Sequence, residues 1–545
     1  MTLPPRPLLA ALTALALAAG ARADDAGLEL VPRLVLHGRF TDRENAPLQD
    51  VLYARALRTL QVKDYLRPVD SQQWGSAYAA AGVDGRLGDA VRFGLLLDTG
   101  ELRAQSFPAT APVCLTPSSP TGLDVVGSGR CVVVVNRRRT GVLDPVVPLP
   151  ETRLSPGVVT ANGRPVGDEA SRTGFLREAW VSASFGRAGF ATVRAGRRRF
   201  TVADGFVFDD WATGVEADLD LGAIGPSFDV GLAAIQPGRD LPWLDPFSPL
   251  LVLRADWLPS LFEHAGVFAA VFRDRGGNVA ELFRGANVES SALRLQALAE
   301  GSAAFAAEQQ RLAGIVAGQA TGDATLFWAG TSGDLVAGRG GRLGWTAAIA
   351  AGSLSLQLPA GGGGDIPSTV KASVLGQLVS LRYKRDVGHD VGVGGFFVFL
   401  SGDVPPAEKA RLGEGDRYGG FLGVSPYVTA TNIFFQGGVS ESFAARQATA
   451  PGVNGRGVVA PGVNVTWDPS VHFGVDARAA WLLAPQAGPY GGQDYGPEVD
   501  LELTWSPLEW LTFAAEGDVL VPGDFFGGGS PVTKVVLGVD VVPRW

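Results

Sequence analysis

The chain has 545 residues, of which 46% are hydrophobic, 19% charged and 9% aromatic, and its formal net charge is −9. This composition excludes a disordered protein, and the lack of a long basic run argues against nucleic acid as a partner. Four scattered histidines and the absence of P-loop or nucleophile-elbow motifs predict no metal, no cofactor and no enzyme.

The chain begins with a predicted secretory signal over residues 1–23. Arg6 supplies a positive charge, Leu8 to Gly20 form an apolar stretch, and Ala21-Arg22-Ala23 is a small-residue cleavage site. We expect cleavage before Asp24, and loss of Arg6 and Arg22 would change the charge from −9 to −11. The apolar stretch is too short to span a bilayer, so the sequence predicts export of residues 24–545.

Two segments are predicted to be long connections. Residues 100–174 contain Cys114 and Cys131, and a cysteine pair in an exported protein most often forms a disulfide, which we predict here. Residues 274–321 are rich in Ala, Glu, Gln and Leu, which favours helix. Either segment could fold inward and narrow a pore or cap the surface, and the sequence leaves both possibilities open.

The rest of the chain shows apolar and polar residues in strict alternation. Val499, Leu501 and Leu503 share one face of a predicted strand, for example, while Glu498, Asp500 and Glu502 share the other. Side chains alternate across a strand, so each strand has one apolar and one charged face. A soluble β-sandwich would show the same pattern, with its apolar faces packed against a second sheet.

The lengths of the connections separate these two folds. Short turns are predicted near 186–188, 223–226, 258–261, 333–340, 385–389, 430–431, 468–470 and 506–508. They alternate with long connections near 100–174, 199–212, 237–248, 274–321, 354–369, 401–417, 444–455, 483–494 and 522–531. This rhythm is typical of transmembrane barrels with tight periplasmic turns and large outer loops. We therefore predict an all-β, up-and-down antiparallel transmembrane β-barrel of roughly 18–22 strands in the outer membrane of a Gram-negative bacterium.

The last predicted strand gives a separate signal. Apolar residues occupy alternate positions from Val535 to the terminal aromatic Trp545. This resembles the final strand by which outer-membrane barrels are recognised, so the barrel-assembly machinery is an expected partner, together with outer-membrane lipid.

The charged faces of the strands would line a lumen and bias what passes through it. Acids outnumber arginines on these faces, which predicts a weak preference for cations, although many of the charges would pair across the wall. The candidate lumen-lining residues are Arg194, Arg198, Glu216, Asp218, Asp220, Arg254, Asp256, Asp476, Arg478, Glu498, Asp500, Glu502, Glu516 and Asp518.

Two parts of the sequence resemble a known family. The stretch 495–505 followed by 521–526 is similar to the closing strands of alginate-export-type barrels, and residues 176–180 with Gly196-Arg197 resemble that family's Gly-Arg strand pair. The matching residues at the C-terminal end are Gly496, Glu498, Asp500, Pro522 and Gly523. The resemblance implies a large monomeric barrel that passes an anionic polysaccharide through an arginine-lined pore, whereas the acidic faces counted above depart from that pattern.

These observations favour a channel, either a porin or an export pore for a polysaccharide or other hydrophilic solute. The alternative is a structural or adhesive barrel with a closed lumen that binds an extracellular partner. A barrel enzyme is a third possibility, with His472 beside Asp476 and Arg478 as its least implausible centre.

Overall fold

In the computed structural model of the chain, the wall of the molecule is one antiparallel sheet of 18 strands that closes on itself. The predicted signal segment and Trp545 lie outside the described residues, as does most of the 100–174 connection. The structure describes residues 27–46, 69–98, 175–186, 190–221, 228–236, 248–260, 263–275, 302–317, 320–338, 340–358, 369–406, 415–424, 428–435, 452–488 and 490–543, with shorter pieces between them.

The wall strands follow one another in chain order. The first nine are β1 Leu28–Ala46, β2 Val69–Leu87, β3 Val91–Asp98, β4 Phe175–Phe185, β5 Ala191–Val202, β6 Phe208–Asp220, β7 Phe228–Gln236, β8 Leu250–Ser260 and β9 Glu263–Asp274. The other nine are β10 Thr321–Val336, β11 Gly341–Gln357, β12 Thr369–Gly388, β13 Val391–Leu400, β14 Val458–Ser470, β15 Phe473–Leu483, β16 Asp494–Leu508, β17 Leu511–Leu520 and β18 Val532–Val541.

Every wall strand pairs with the next, and the last pairs with the first. β18 lies antiparallel to β1, from Leu36 opposite Val541 to Glu44 opposite Thr533. Closure removes the free edge that an open sheet would expose, which is what a sheet in lipid requires. The predicted fold, an up-and-down antiparallel barrel, is confirmed.

The alternation seen in the sequence becomes an outer and an inner face. On β16 the side chains of Val499 and Leu501 are exposed on the outside, whereas Asp500 between them is buried inside. The same arrangement of exposed apolar residues recurs on the other strands, for example at Leu253, Phe327 and Leu537. Such a continuous apolar outer surface is the part of a transmembrane barrel that lipid covers.

Short and long connections alternate around the barrel as predicted. The strand ends that the short connections join lie at one end of the barrel, together with the start of β1 and the end of β18. In the sequence these connections are 88–90, 186–190, 221–227, 261–262, 337–340, 389–390, 471–472 and 509–510. In the two-residue turn between β12 and β13, both His389 and Asp390 adopt left-handed backbone, with φ of +55° and +59°. By the rule for such barrels this end is periplasmic.

Two predicted connections differ from the structure. No turn between wall strands lies at 430–431, because residues 401–457 form one connection between β13 and β14 whose described part enters the barrel. The prediction of a turn at 430–431 was wrong because the apolar residues around it pack inside the barrel. Their sequence is as apolar as that of a lipid-facing strand. At 199–212 the strands continue, and only residues 203–207 link β5 to β6.

The remaining elements belong to the long connections. The predicted helical segment contains the helix α1 Ala303–Ala317. Within the described chain, no helix is long and apolar enough to cross a membrane. The short elements are the strands Leu102–Ser106, Val113–Cys114, Cys131–Val132, Val158–Thr160 and Arg417–Tyr418 and the 3-10 turns Val453–Gly455 and Asp524–Phe526.

The two cysteines lie in one of these short ladders. Cys114 is directly opposite Cys131 in an antiparallel pair, an arrangement in which the Cα atoms lie about 4.5–5.5 Å apart. That separation suits a disulfide, which stays a prediction.

Candidate functional site in the barrel lumen

The inner faces of β5, β6 and β8 carry a ladder of paired charges. Arg194 lies 3.2 Å from Glu216 and also contacts Asp218, while Arg198 contacts Glu216. From the other side Nη2 of Arg254 lies 2.7 Å from Oδ1 of Asp218. Three arginines thus share two carboxylates, and five of the predicted lumen residues come together here.

The arginines of this ladder face water more than the carboxylates do. The side chain of Arg254 is 43% exposed and that of Asp218 17%, and Arg194 is likewise more exposed than Glu216. The reason is length, since an arginine extends beyond the shorter carboxylate and keeps its charged end in water. Because three arginines share two carboxylates and the arginines are the more exposed, the surface that this ladder presents is cationic.

Two further predicted residues lie on the periplasmic side of the ladder. Asp256 on β8 is 3.8 Å from Arg254. Asp220 is exposed at the end of β6, directly opposite Asp229 of β7. Both therefore extend the charged face toward the short-turn end of the barrel.

A second set of inward charges links β1 to β2, β4 and β18, and its residues are not among the lumen-lining residues predicted from the sequence. Arg33 lies 2.8 Å from Glu178 of β4 and 3.3 Å from Asp84 of β2. At the seam, His37 and Arg39 each lie 2.5 Å from Asp540 of β18. The alternation of Arg33, His37 and Arg39 with apolar residues in the sequence could have identified them as inward-facing.

On β16–β18 most of the inward charges are buried. Glu498, Asp500, Glu516 and Asp518 are at most 3% exposed, and together they form what we call the acid cluster. One lysine lies among them, because Nζ of Lys534 is 2.5 Å from Glu516 and 3.3 Å from Asp518. These four predicted residues therefore do not face open water.

The acid cluster is covered by residues 428–435 of the β13–β14 connection, here called the inner segment. Glu498 accepts hydrogen bonds from the Thr431 hydroxyl at 2.9 Å and from the backbone N–H groups of Ile433 and Phe434 at 2.5 and 3.1 Å. Further bonds link Asn432 to Asp500, Asp518 and Lys534. Buried carboxylates are tolerated when such donors satisfy them, so the cluster anchors the inner segment to the wall.

The last predicted residues, Asp476, Arg478 and Glu502, lie beside the acid cluster. Nε of Arg478 donates to Asp476 at 2.9 Å on the same strand. His472 is not part of this group, because its Nδ1 donates to the Ser506 carbonyl oxygen at 2.7 Å in the exposed β14–β15 turn. The arrangement gives the enzyme hypothesis no support.

A second structure crosses the lumen. The β4–β5 ladder ends at Arg197 and the β6–β7 ladder begins at Thr213. Among the described strands, residues 198–212 therefore have ladder partners only within this stretch. We call them the cross-lumen hairpin. At its tip Val207 accepts a hydrogen bond from the backbone of Val424 at 2.8 Å, which ties the hairpin to the β13–β14 connection.

The inner faces of β9–β12 are apolar toward the outer end, a feature not predicted from the sequence. They pack against α1 and against the β13–β14 connection, and Nε1 of Trp328 donates to the Leu422 carbonyl oxygen at 2.8 Å. A Cβ on Gly376 would lie 2.5 Å from Cα of Phe421, so the wall needs glycine there. The Tyr418 side chain of the β13–β14 connection is also enclosed, and its burial raises the pKa of the phenol. The described loop residues thus fold inward and fill this side of the lumen.

A closed barrel of 18 strands, apolar outside and charged inside, defines the class of protein. It is an integral β-barrel of porin type in the outer membrane of a Gram-negative bacterium.

Comparison with known proteins gives the following. No protein-family profile and no curated protein matches the sequence. Solved structures do match, and OccK5 (OpdH) of Pseudomonas aeruginosa is 9% identical with a TM-score of 0.45, covering 95% of this chain and 99% of that chain. A BenF-like porin from Pseudomonas fluorescens Pf-5 has 9% identity, a TM-score of 0.46 and the same coverages. OpdK of Pseudomonas aeruginosa, solved with vanillate, is 10% identical with a TM-score of 0.44, and the match covers 95% of this chain and 99% of that chain. These values say nothing about the solute, and the resemblance to alginate-export-type barrels gains no support from them.

Proposed function

We propose that the protein is a passive outer-membrane channel for small hydrophilic solutes. The observation that carries the proposal is the charge ladder, where Arg194 and Arg254 lie on the inner face of a closed barrel and stay partly exposed to water. A lumen closed by packing would bury such groups, as it buries the acid cluster. Solutes would therefore pass along the polar wall of β1–β8, opposite the filled side.

We propose further that the channel prefers anions, which reverses the preference predicted from the number of charges. The inward acids are numerous, but Glu216, Glu498 and Glu516 are buried, and the exposed Asp220 lies at the periplasmic end of β6. In contrast, Arg254 on β8 and Arg382 on the inner face of β12 remain exposed. An ion in the lumen interacts most strongly with the charges nearest to it, and buried carboxylates are largely neutralised by their partners.

The proposed partners are those expected from the sequence. Lipid would cover the apolar outer face, and the barrel-assembly machinery would recognise the closing strand β18. The pairing of β18 with β1 supports a role of that strand in the last step of assembly. The resemblance to alginate-export-type barrels adds an anionic polysaccharide to the proposed solutes.

Conductance in planar bilayers tests this function. We expect stepwise current increases when the purified protein inserts, and a reversal potential in a KCl gradient that shows chloride to be the more permeant ion. Purified protein that inserts and never conducts would support the closed, adhesive barrel. A cation-selective reversal potential would retain the channel and overturn the proposed charge preference.

A further inference from the structure

The cross-lumen hairpin reaches a distant part of the wall through one ion pair. Oδ2 of Asp204 lies 3.0 Å from Nη2 of Arg382 on β12 and also accepts a hydrogen bond from the Thr346 hydroxyl on β11. β6 and β12 are six strands apart in a ring of 18, which is one third of the circumference. The contact is therefore made through the interior of the barrel.

The turn that carries Asp204 has an unfavourable backbone conformation. Ala203 and Asp204 are both left-handed, with φ of +54° and +49°. Residues with a Cβ avoid this region, and they persist in it where surrounding contacts hold them. The turn is held by its own backbone hydrogen bond from the Phe206 N–H to the Ala203 carbonyl oxygen, and by the contacts of Asp204 with the opposite wall and of Val207 with Val424.

Arg382 presents its charge to water at this contact. It lies on the inner face of β12, between the outward side chains of Leu381 and Tyr383. The Arg382 side chain is 57% exposed, against 29% for Asp204. The guanidinium group can thus meet a passing anion while the carboxylate behind it weakens the attraction. A channel needs both effects, because an ion must enter readily and also leave.

We propose that the Asp204–Arg382 pair is a charge-selective site for small anions, and that Asp204 also holds the cross-lumen hairpin in place. The proposal rests on the channel function proposed above. Arg382 provides the attraction, Asp204 limits it, and the hairpin fixes both at one point of the lumen.

Reversal potentials of three variants test the selective role. Asp204→Asn should raise the anion-to-cation permeability ratio about threefold, Arg382→Gln should lower it about threefold, and the double variant should return close to the wild-type ratio. Glu509→Gln, which removes one negative charge from a periplasmic turn, is the matched control and should leave the ratio unchanged. If wild type conducts and both single variants keep its reversal potential, the selective site is refuted.

A readout independent of conduction tests the contact itself. The midpoint of thermal unfolding in detergent should show coupling between the two positions, so that the double variant loses less than the sum of the single losses. A wild-type protein that never conducts would refute the channel, and the selective role with it, while coupling would still support the bridge. Additive losses would refute the bridge, whether or not the protein conducts.

Discussion

On β5–β8 the arginines extend over their carboxylates into water, whereas on β16–β18 four carboxylates and Lys534 lie beneath the inner segment. Both regions have charged residues at alternate positions on neighbouring strands, and both face the interior of the barrel. They differ in what covers them. One region forms the surface that a solute meets, and the other attaches a loop to the wall.

The difference matters because burial determines what a charge contributes. A partly exposed ion pair adds about 1 kcal/mol or less to stability and mainly sets the local potential. A buried carboxylate without its partner is strongly destabilising, so the acid cluster should affect folding far more than conduction. Three substitutions test this contrast.

Lys534→Met should have the largest effect. It removes the one lysine that contacts Glu516 and Asp518, and breaking a buried pair costs about 3–5 kcal/mol. The free energy of unfolding by urea from lipid vesicles measures this loss. Lys384→Met, exposed on the inner face near the periplasmic end of β12, is the matched control and should change stability by about 0.5 kcal/mol or less. Equal losses in the two variants would contradict the structural role of the acid cluster.

Glu498→Gln should have an intermediate effect. The amide keeps one acceptor oxygen but loses the other, so one of the donors from Thr431, Ile433 and Phe434 is left without its partner. The expected cost is about 1–3 kcal/mol. Faster hydrogen exchange at the Ile433 and Phe434 amides and noisier open-channel currents should accompany it. Unchanged exchange at these amides would mean that Glu498 does not anchor the inner segment.

Arg254→Gln should have the smallest effect on stability and a clear effect on selectivity. The side chain is partly exposed, so its loss should cost about 1 kcal/mol or less. Removing its charge should reduce the anion preference measured from the reversal potential. A large loss of stability with an unchanged reversal potential would reverse the assignment of roles to the two regions.

The wall was predictable from the sequence because its pattern is local. The alternation around Val499 and Leu501 identifies both faces of β16, and the turns predicted at 506–508 and 468–470 lie within three residues of the observed ones. A strand between lipid and a lumen needs this period of two, whatever its neighbours are.

The interior was not predictable because its contacts are distant in sequence. Ile433 and Glu498 are 65 positions apart, and Asp204 and Arg382 are 178 apart. The sequence around Phe421 and Leu422 is as apolar as that of a lipid-facing strand. No local pattern indicates that these side chains pack inside the barrel. The exposure of each inward charge depends on these contacts, so the acid cluster and the charge ladder looked alike in sequence.

The seam between β1 and β18 has a consequence for folding kinetics. His37 and Asp540 meet there although they are 503 positions apart, so their contact carries a large loop-closure entropy and forms late. Before that step, an intermediate inserted in lipid would hold two rows of unsatisfied peptide groups in hydrocarbon. Insertion and zipping of the seam are therefore expected to form one cooperative transition, and variants that weaken the seam should slow refolding as well as lower equilibrium stability.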